Sequence, residues 1–139
     1  MENHISTLWK GGNTFESNNM SGYSLTIDSD EPAPGQAYFR PKNLMLSALA
    51  GCTGLDVVSL FNKMKLNVDE FTIEIKAQLT EEHPKYYHKV HVVYHFHGSE
   101  LNEERLKRCV DLSAEKYCGV AEMFRQFSEL TYAIEYHQS

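Results

Sequence analysis

Residues 41–65 read PKNLMLSALAGCTGLDVVSLFNKMK, and the fold turns on how that stretch is understood. Pro41 suits the first turn of a helix, where its missing N–H costs nothing. From there Leu44, Leu46, Ala48, Leu49, Ala50, Cys52, Leu55, Val57, Val58, Leu60, Phe61 and Met64 predict a helix to about Lys65, with almost no polar face. A helix apolar on every side has to be covered on every side. One domain with one sheet covers one side, and a second copy of the chain is the simplest cover for the other. The apolar run also approaches membrane-spanning length, about 20 residues. Ser47, Asp56, Ser59, Gly51 and Gly54 interrupt it, so a buried helix of a soluble protein is expected, with no membrane partner.

Downstream of this helix lies the clearest strand. Phe71, Ile73, Ile75, Ala77 and Leu79 alternate with Thr72, Glu74, Lys76, Gln78 and Thr80, a period of two with one wet face. The Pro84 region turns the chain, and Tyr87 to His97 returns with Val90, Val92, Tyr94 and Phe96 inward and Lys89, His91, Val93, His95 and His97 outward. A second helix is predicted from about Asn102 and a short third over Val120 to Phe127, interrupted by Tyr117-Cys118-Gly119. A last strand follows from Leu130 to Tyr136. Upstream, weak alternation around Gly11-Gly12 and Asn18-Asn19 predicts a meander of short strands ending near Asp28, then a loop over 29–36. Strands, a long helix, two long strands, two helices and a strand make an α+β fold, a mainly antiparallel sheet packed on a long central helix, in a single domain over 1–139.

The chain has 139 residues, of which 42% are hydrophobic and 23% charged, a balance that excludes disorder. A net charge of −6 argues against a nucleic-acid partner, which clustered Lys and Arg would mark. The polar start, Met1 to Trp9, does not read as a signal peptide, so a cytoplasmic location is expected. Cysteines there catalyse or stay reduced more often than they staple. Three of them, Cys52, Cys109 and Cys118, cannot complete a disulfide framework.

Cys52 lies inside the apolar helix between Gly51 and Gly54. Glycine costs roughly 1 kcal/mol in a helix interior. Two so close together serve either tight helix packing or access of a small substrate to sulfur. Taken alone, Cys52 reads first as a buried packing residue. Cys118, at a helix break before Gly119, is either a small residue at a tight turn or a thiol whose pKa a helix N-terminus lowers. Cys109, on the apolar face of the second helix, reads as packing. His91, His95 and His97 share a strand face; two histidines two apart could chelate zinc, but a solvated face is the expectation and no metal is assigned. Asp56, one turn past Cys52, is expected to hydrogen-bond to a neighbouring helix or loop. No GxSxG pattern supports a serine hydrolase.

Two segments carry a resemblance. Arg40 to Val58, RPKNLMLSALAGCTGLDVV, resembles the central-helix motif of the OsmC/Ohr family, and Ser113 to Val120, SAEKYCGV, resembles its second-cysteine motif. The order of elements is similar as well, and the Cys-Thr-Gly-Leu-Asp-Val-Val version resembles the YhfA-like branch. The resemblance implies an intertwined homodimer with active sites at the subunit interface. It also implies thiol-dependent reduction of organic hydroperoxides: Cys52 as the peroxidatic residue, Cys118 as the resolving one, no bound cofactor, and a dithiol reductant as co-substrate. Family peroxidases carry an arginine after a Gly-Gly pair and a glutamate near the start of the central helix. Here Asn13 follows Gly11-Gly12, no arginine precedes Arg40, and Lys42 and Asn43 stand at the helix start. The rival expectation is a non-catalytic module holding a small hydrophobic ligand in the same apolar dimer cleft.

Overall fold

A computed structural model describes residues 1–29, 34–35 and 37–139. Part of the loop expected over 29–36 therefore lies outside the described residues. The chain forms two compact units, Met1–Ser47 and Ala48–Ser139.

The first unit holds the expected meander. Strands β1 (Ser6–Trp9), β2 (Phe15–Asn18) and β3 (Ser24–Ile27) form an antiparallel sheet in that order. Gly11 and Gly12 turn β1 into β2 with φ of 100° and 55°, left-handed values that glycine adopts without strain.

Helix α1 (Pro41–Lys63) starts where Pro41 predicts and stops two residues before the expected end. Its stop is a left-handed cap: Lys65 has φ 56°, and the Leu66 N–H donates back to the Phe61 carbonyl at 2.9 Å. By length and composition alone, α1 is long and apolar enough to cross a membrane. The chain itself buries a single stripe of it, Leu49, Thr53, Val57 and Phe61, at helical spacing of four. Leu55 is left 76% exposed, so the cover expected all round does not come from this chain.

The second unit builds its sheet from β4 (Glu70–Leu79), β5 (Tyr87–Gly98) and β6 (Glu129–Gln138), in that order. The sequence suggests one sheet; among the described residues there are two, because the short N-terminal strands pair with one another, and through one bridge from Ile27 to Phe39, rather than with β4–β6. Pairing is mainly antiparallel, with one exception: β6 runs parallel to β5, His95 opposite Glu135 and His97 opposite His137. A parallel neighbour needs a long crossover, here α2 (Glu103–Leu112) and α3 (Gly119–Phe127). Asn102 caps α2 by accepting from the Arg105 N–H at 3.1 Å. Between the two helices, Ser113–Tyr117 forms one π-helical turn that closes with the Cys118 N–H on the Ser113 carbonyl at 2.8 Å. Such turns widen the helix by one residue and recur at functional sites.

Alternation places Val90, Val92, Tyr94 and Phe96 of β5 inward, as read from the sequence. Phe71 stacks on Phe96 at 4.7 Å and meets Phe61 of α1 edge-on at 6.0 Å, which seats the helix on the sheet.

Candidate thiol site

The two sulfurs that lie far apart in sequence meet in the second unit. Cys52 lies close enough to Cys118 to act on its thiol electrostatically. Cys52 is half-buried on α1, and Cys118 is buried at the start of α3. All three cysteines are free thiols.

Cys118 caps α3 with its own sulfur: the Ala121 N–H donates to Sγ at 3.3 Å. A helix N-terminus favours a thiolate, and this predicts a lowered pKa. The opposite holds. Burial dominates and pushes the Cys118 thiol up to about 11, outweighing the N–H groups of Ala121 and Val120, while the nearby Cys52 thiol raises it further. Cys118 therefore keeps its proton at neutral pH.

Behind the sulfurs runs a buried polar chain. The Thr53 hydroxyl lies 2.7 Å from the Tyr94 hydroxyl and 2.7 Å from the Ser113 hydroxyl. Ser113 Oγ is 3.0 Å from Asp56 Oδ2, to which it donates, and also reaches the Thr53 carbonyl at 3.2 Å. This meets the expectation for Asp56, a hydrogen bond to a neighbouring helix. Burial pushes the Tyr94 hydroxyl up to about 12 against the lowering bond from Thr53, with Cys118 and Asp56 adding to the rise. Three elements are thus tied beside the thiols: α1 through Thr53 and Asp56, β5 through Tyr94, and the π turn through Ser113.

Thr53 and Ser113 escaped the sequence reading. One signal was available: Thr53 occupies the buried stripe between Leu49 and Val57, where a polar side chain requires a partner. The π turn, which sets Ser113 facing Thr53, has no such mark.

The remaining candidates fall elsewhere. Cys109 is fully buried and donates to Met64 Sδ at 3.8 Å, in keeping with a packing role. Gly54 serves packing, since a Cβ there would meet Ile73 Cδ1 at 3.1 Å, whereas one at Gly51 meets nothing within 4 Å. Asn13, Lys42 and Asn43 are exposed residues of the first unit. What acts on Cys118 is burial, backbone N–H groups and the second thiol. A shallow apolar groove on the second unit is lined by Ala50, Gly51, Gly54, Leu55, Val58, Phe71 and Ile73.

An α+β frame with a thiol pair on a long apolar helix and a helix break describes a class, and known proteins identify it. Residues 33–132 match the family model for OsmC-like protein. Protein YhfA of Escherichia coli K12 is 32% identical over 129 residues, covering 91% of this chain and 92% of that protein. Among solved structures, an OsmC-like protein from Mycoplasma pneumoniae superposes with a TM-score of 0.83 at 12% identity, each chain covered to 99%. The organic hydroperoxide resistance protein OhrB of Bacillus subtilis gives 0.66 at 16% identity, with 97% of this chain and 98% of that chain covered. The chain belongs to the OsmC-like family, in which peroxiredoxin-like proteins occur.

Proposed function

We propose that the protein is a thiol-dependent peroxidase that reduces organic hydroperoxides through Cys52 and Cys118. The observation that carries this reading is the proximity of the two thiols, close enough for Cys52 to act on the Cys118 thiol. Cys52, the more accessible sulfur, attacks the O–O bond as a thiolate. The distal oxygen becomes a sulfenic acid on Cys52, and the alkoxide leaves and takes up a proton as the alcohol. Cys118 then attacks the sulfenic sulfur, giving the Cys52–Cys118 disulfide and water. A dithiol reductant returns both thiols by exchange and is itself oxidised to a disulfide. The cycle uses no bound cofactor and belongs in a reducing compartment such as the cytoplasm.

Assembly belongs to the same reading. Leu55 and Val58 stand exposed beside the apolar groove, and a homodimer that packs α1 against its copy covers them. The OhrB likeness supports the choice of substrate class, by its printed name of organic hydroperoxide resistance protein.

A free-thiol count before and after one equivalent of cumene hydroperoxide tests the cycle. The wild type is expected to lose two thiols, and Cys52→Ser none. Unchanged thiols in the wild type overturn the proposal.

A further inference from the structure

On the outward face of the second sheet, opposite the face that carries Tyr94, the parallel pairing of β5 and β6 assembles three metal-ligand atoms. His95 Nδ1 lies 3.1 Å from His137 Nε2 and 3.1 Å from Glu135 Oε2, and His137 Nε2 lies 3.8 Å from the same oxygen. We propose that His95, Glu135 and His137 form a binding site for a divalent transition-metal cation of the zinc class, with a fourth position open to water.

Geometry carries the inference. Three atoms at those separations lie on a circle of radius about 2.0 Å, the length of a bond from zinc to imidazole nitrogen or carboxylate oxygen, about 2.0–2.2 Å. Shifts of a few tenths of an ångström in the side chains bring the three separations to the tetrahedral spacing of about 3.4 Å that leaves a fourth position for water. Three converging acceptors repel unless a proton or a cation sits among them. Imidazole and carboxylate together suit a borderline cation better than a hard one such as magnesium, which prefers oxygen alone.

The surroundings hold the ligands in place. His95 is only 15% exposed, unlike a residue of a solvated face. Its other nitrogen, Nε2, is shut off from solvent and has no hydrogen-bond partner, although Glu74 Oε1 stands 2.7 Å away at ion-pair distance. Glu74 is 57% exposed, and with the ring proton on Nε2 it stands at hydrogen-bond distance to accept it. A metal-bound histidine ordinarily gives its second N–H to a carboxylate in this way, which fixes the tautomer and strengthens the ligand. His137 in turn is stacked on His97 at 4.3 Å and 10°, which sets the plane of its ring. His95 and His97 were the pair suggested by sequence; the ligand opposite His95 comes from β6 instead, a neighbour that only the parallel pairing supplies.

The test titrates the reduced full chain with Co²⁺ and then displaces it with Zn²⁺. Expected are one Zn²⁺ per chain and visible d–d bands without a thiolate charge-transfer band in the near ultraviolet. Glu135→Gln and His137→Ala each abolish the d–d bands, and Glu74→Gln weakens binding about 10–100-fold. The thermal midpoint of the wild type, but not of His137→Ala, rises with added Zn²⁺ by mass action. Several results overturn the proposal. They are no Zn²⁺ bound; binding lost in His97→Ala but kept in His137→Ala; and a charge-transfer band that disappears in Cys52→Ser, which puts the metal on the thiols.

Discussion

At the scale of single residues, the thiol site is governed by two opposed demands on Cys118. Its position at the start of α3 offers N–H groups to a thiolate, while burial refuses the charge and prevails, leaving the thiol pushed up to about 11. The consequence for the proposed cycle has a definite sign. Resolution needs the Cys118 thiolate, whose fraction rises about tenfold per pH unit below the pKa. Stopped-flow measurement after a peroxide pulse should find the resolving step accelerating from pH 7 to 9 and the Cys52 sulfenic acid longest-lived near neutrality. A pH-independent resolving step contradicts this. The same shift acts on stability. A thiol near 8.5 in the unfolded chain and about 11 in the folded one contributes stability that is complete below the lower value and lost as pH rises through the upper. The urea midpoint should therefore fall between about pH 8.5 and 11, less steeply in Cys118→Ser. Thr53 presents a different demand, that of a hydroxyl with two hydroxyl neighbours in the core. Thr53→Val keeps the shape but orphans the Tyr94 hydroxyl, at a cost of about 1–3 kcal/mol. Adding Tyr94→Phe removes the orphan, so the double variant should lose less than the sum of the two single losses, by denaturant titration.

At the scale of elements, legibility followed periodicity. The alternation of Phe71, Ile73 and Ile75 places β4 to within a residue of its observed start, and Pro41 places the start of α1. The π turn and the direction of β6 were not legible. A π turn costs one hydrogen-bond step and has no residue signature. A strand's period of two is the same in parallel and antiparallel pairing, so His137 could not be placed beside His95 from sequence. Cys52 and Cys118 were legible as site residues only through the resemblance of their flanking motifs, since residue pattern alone favoured packing for Cys52 and left the two readings of Cys118 even. The glycines beside Cys52 divide along the same line. A Cβ on Gly54 would meet Ile73 at 3.1 Å, while one on Gly51 would face open space. In the chain as it stands, Gly51→Ala removes only the entropic penalty of glycine and should stabilise α1 by roughly 0.5–1 kcal/mol. Gly54→Ala, forced against Ile73, should fall short of that gain. Thermal melts of the two variants settle the order, and Gly54→Ala proving the more stable would remove its packing role.

At the scale of the whole molecule, the question is how a chain of this length can carry a helix this apolar. Among the described residues, α1 is fully buried only along Leu49, Thr53, Val57 and Phe61. Leu55 at 76% exposure, with Val58 at 36%, stands over a groove floored by Gly54, Phe71 and Ile73. Apolar surface of that kind is removed from water at about 25 cal/mol per Å², and a second copy offers the same surface in return, as twofold association requires. The proposed dimer thus makes a prediction separable from the redox cycle. Light scattering at micromolar concentration should give twice the chain mass for the wild type. Leu55→Lys places an ammonium in the centre of the shared apolar surface, where burial of an unpaired charge is strongly opposed, and should shift the equilibrium to monomer without loss of the far-ultraviolet signature of the second unit, because Leu55 contributes little to that unit's own core. A wild type that scatters as a monomer overturns the assembly. A Leu55→Lys variant that stays dimeric shows the copies meeting on another face.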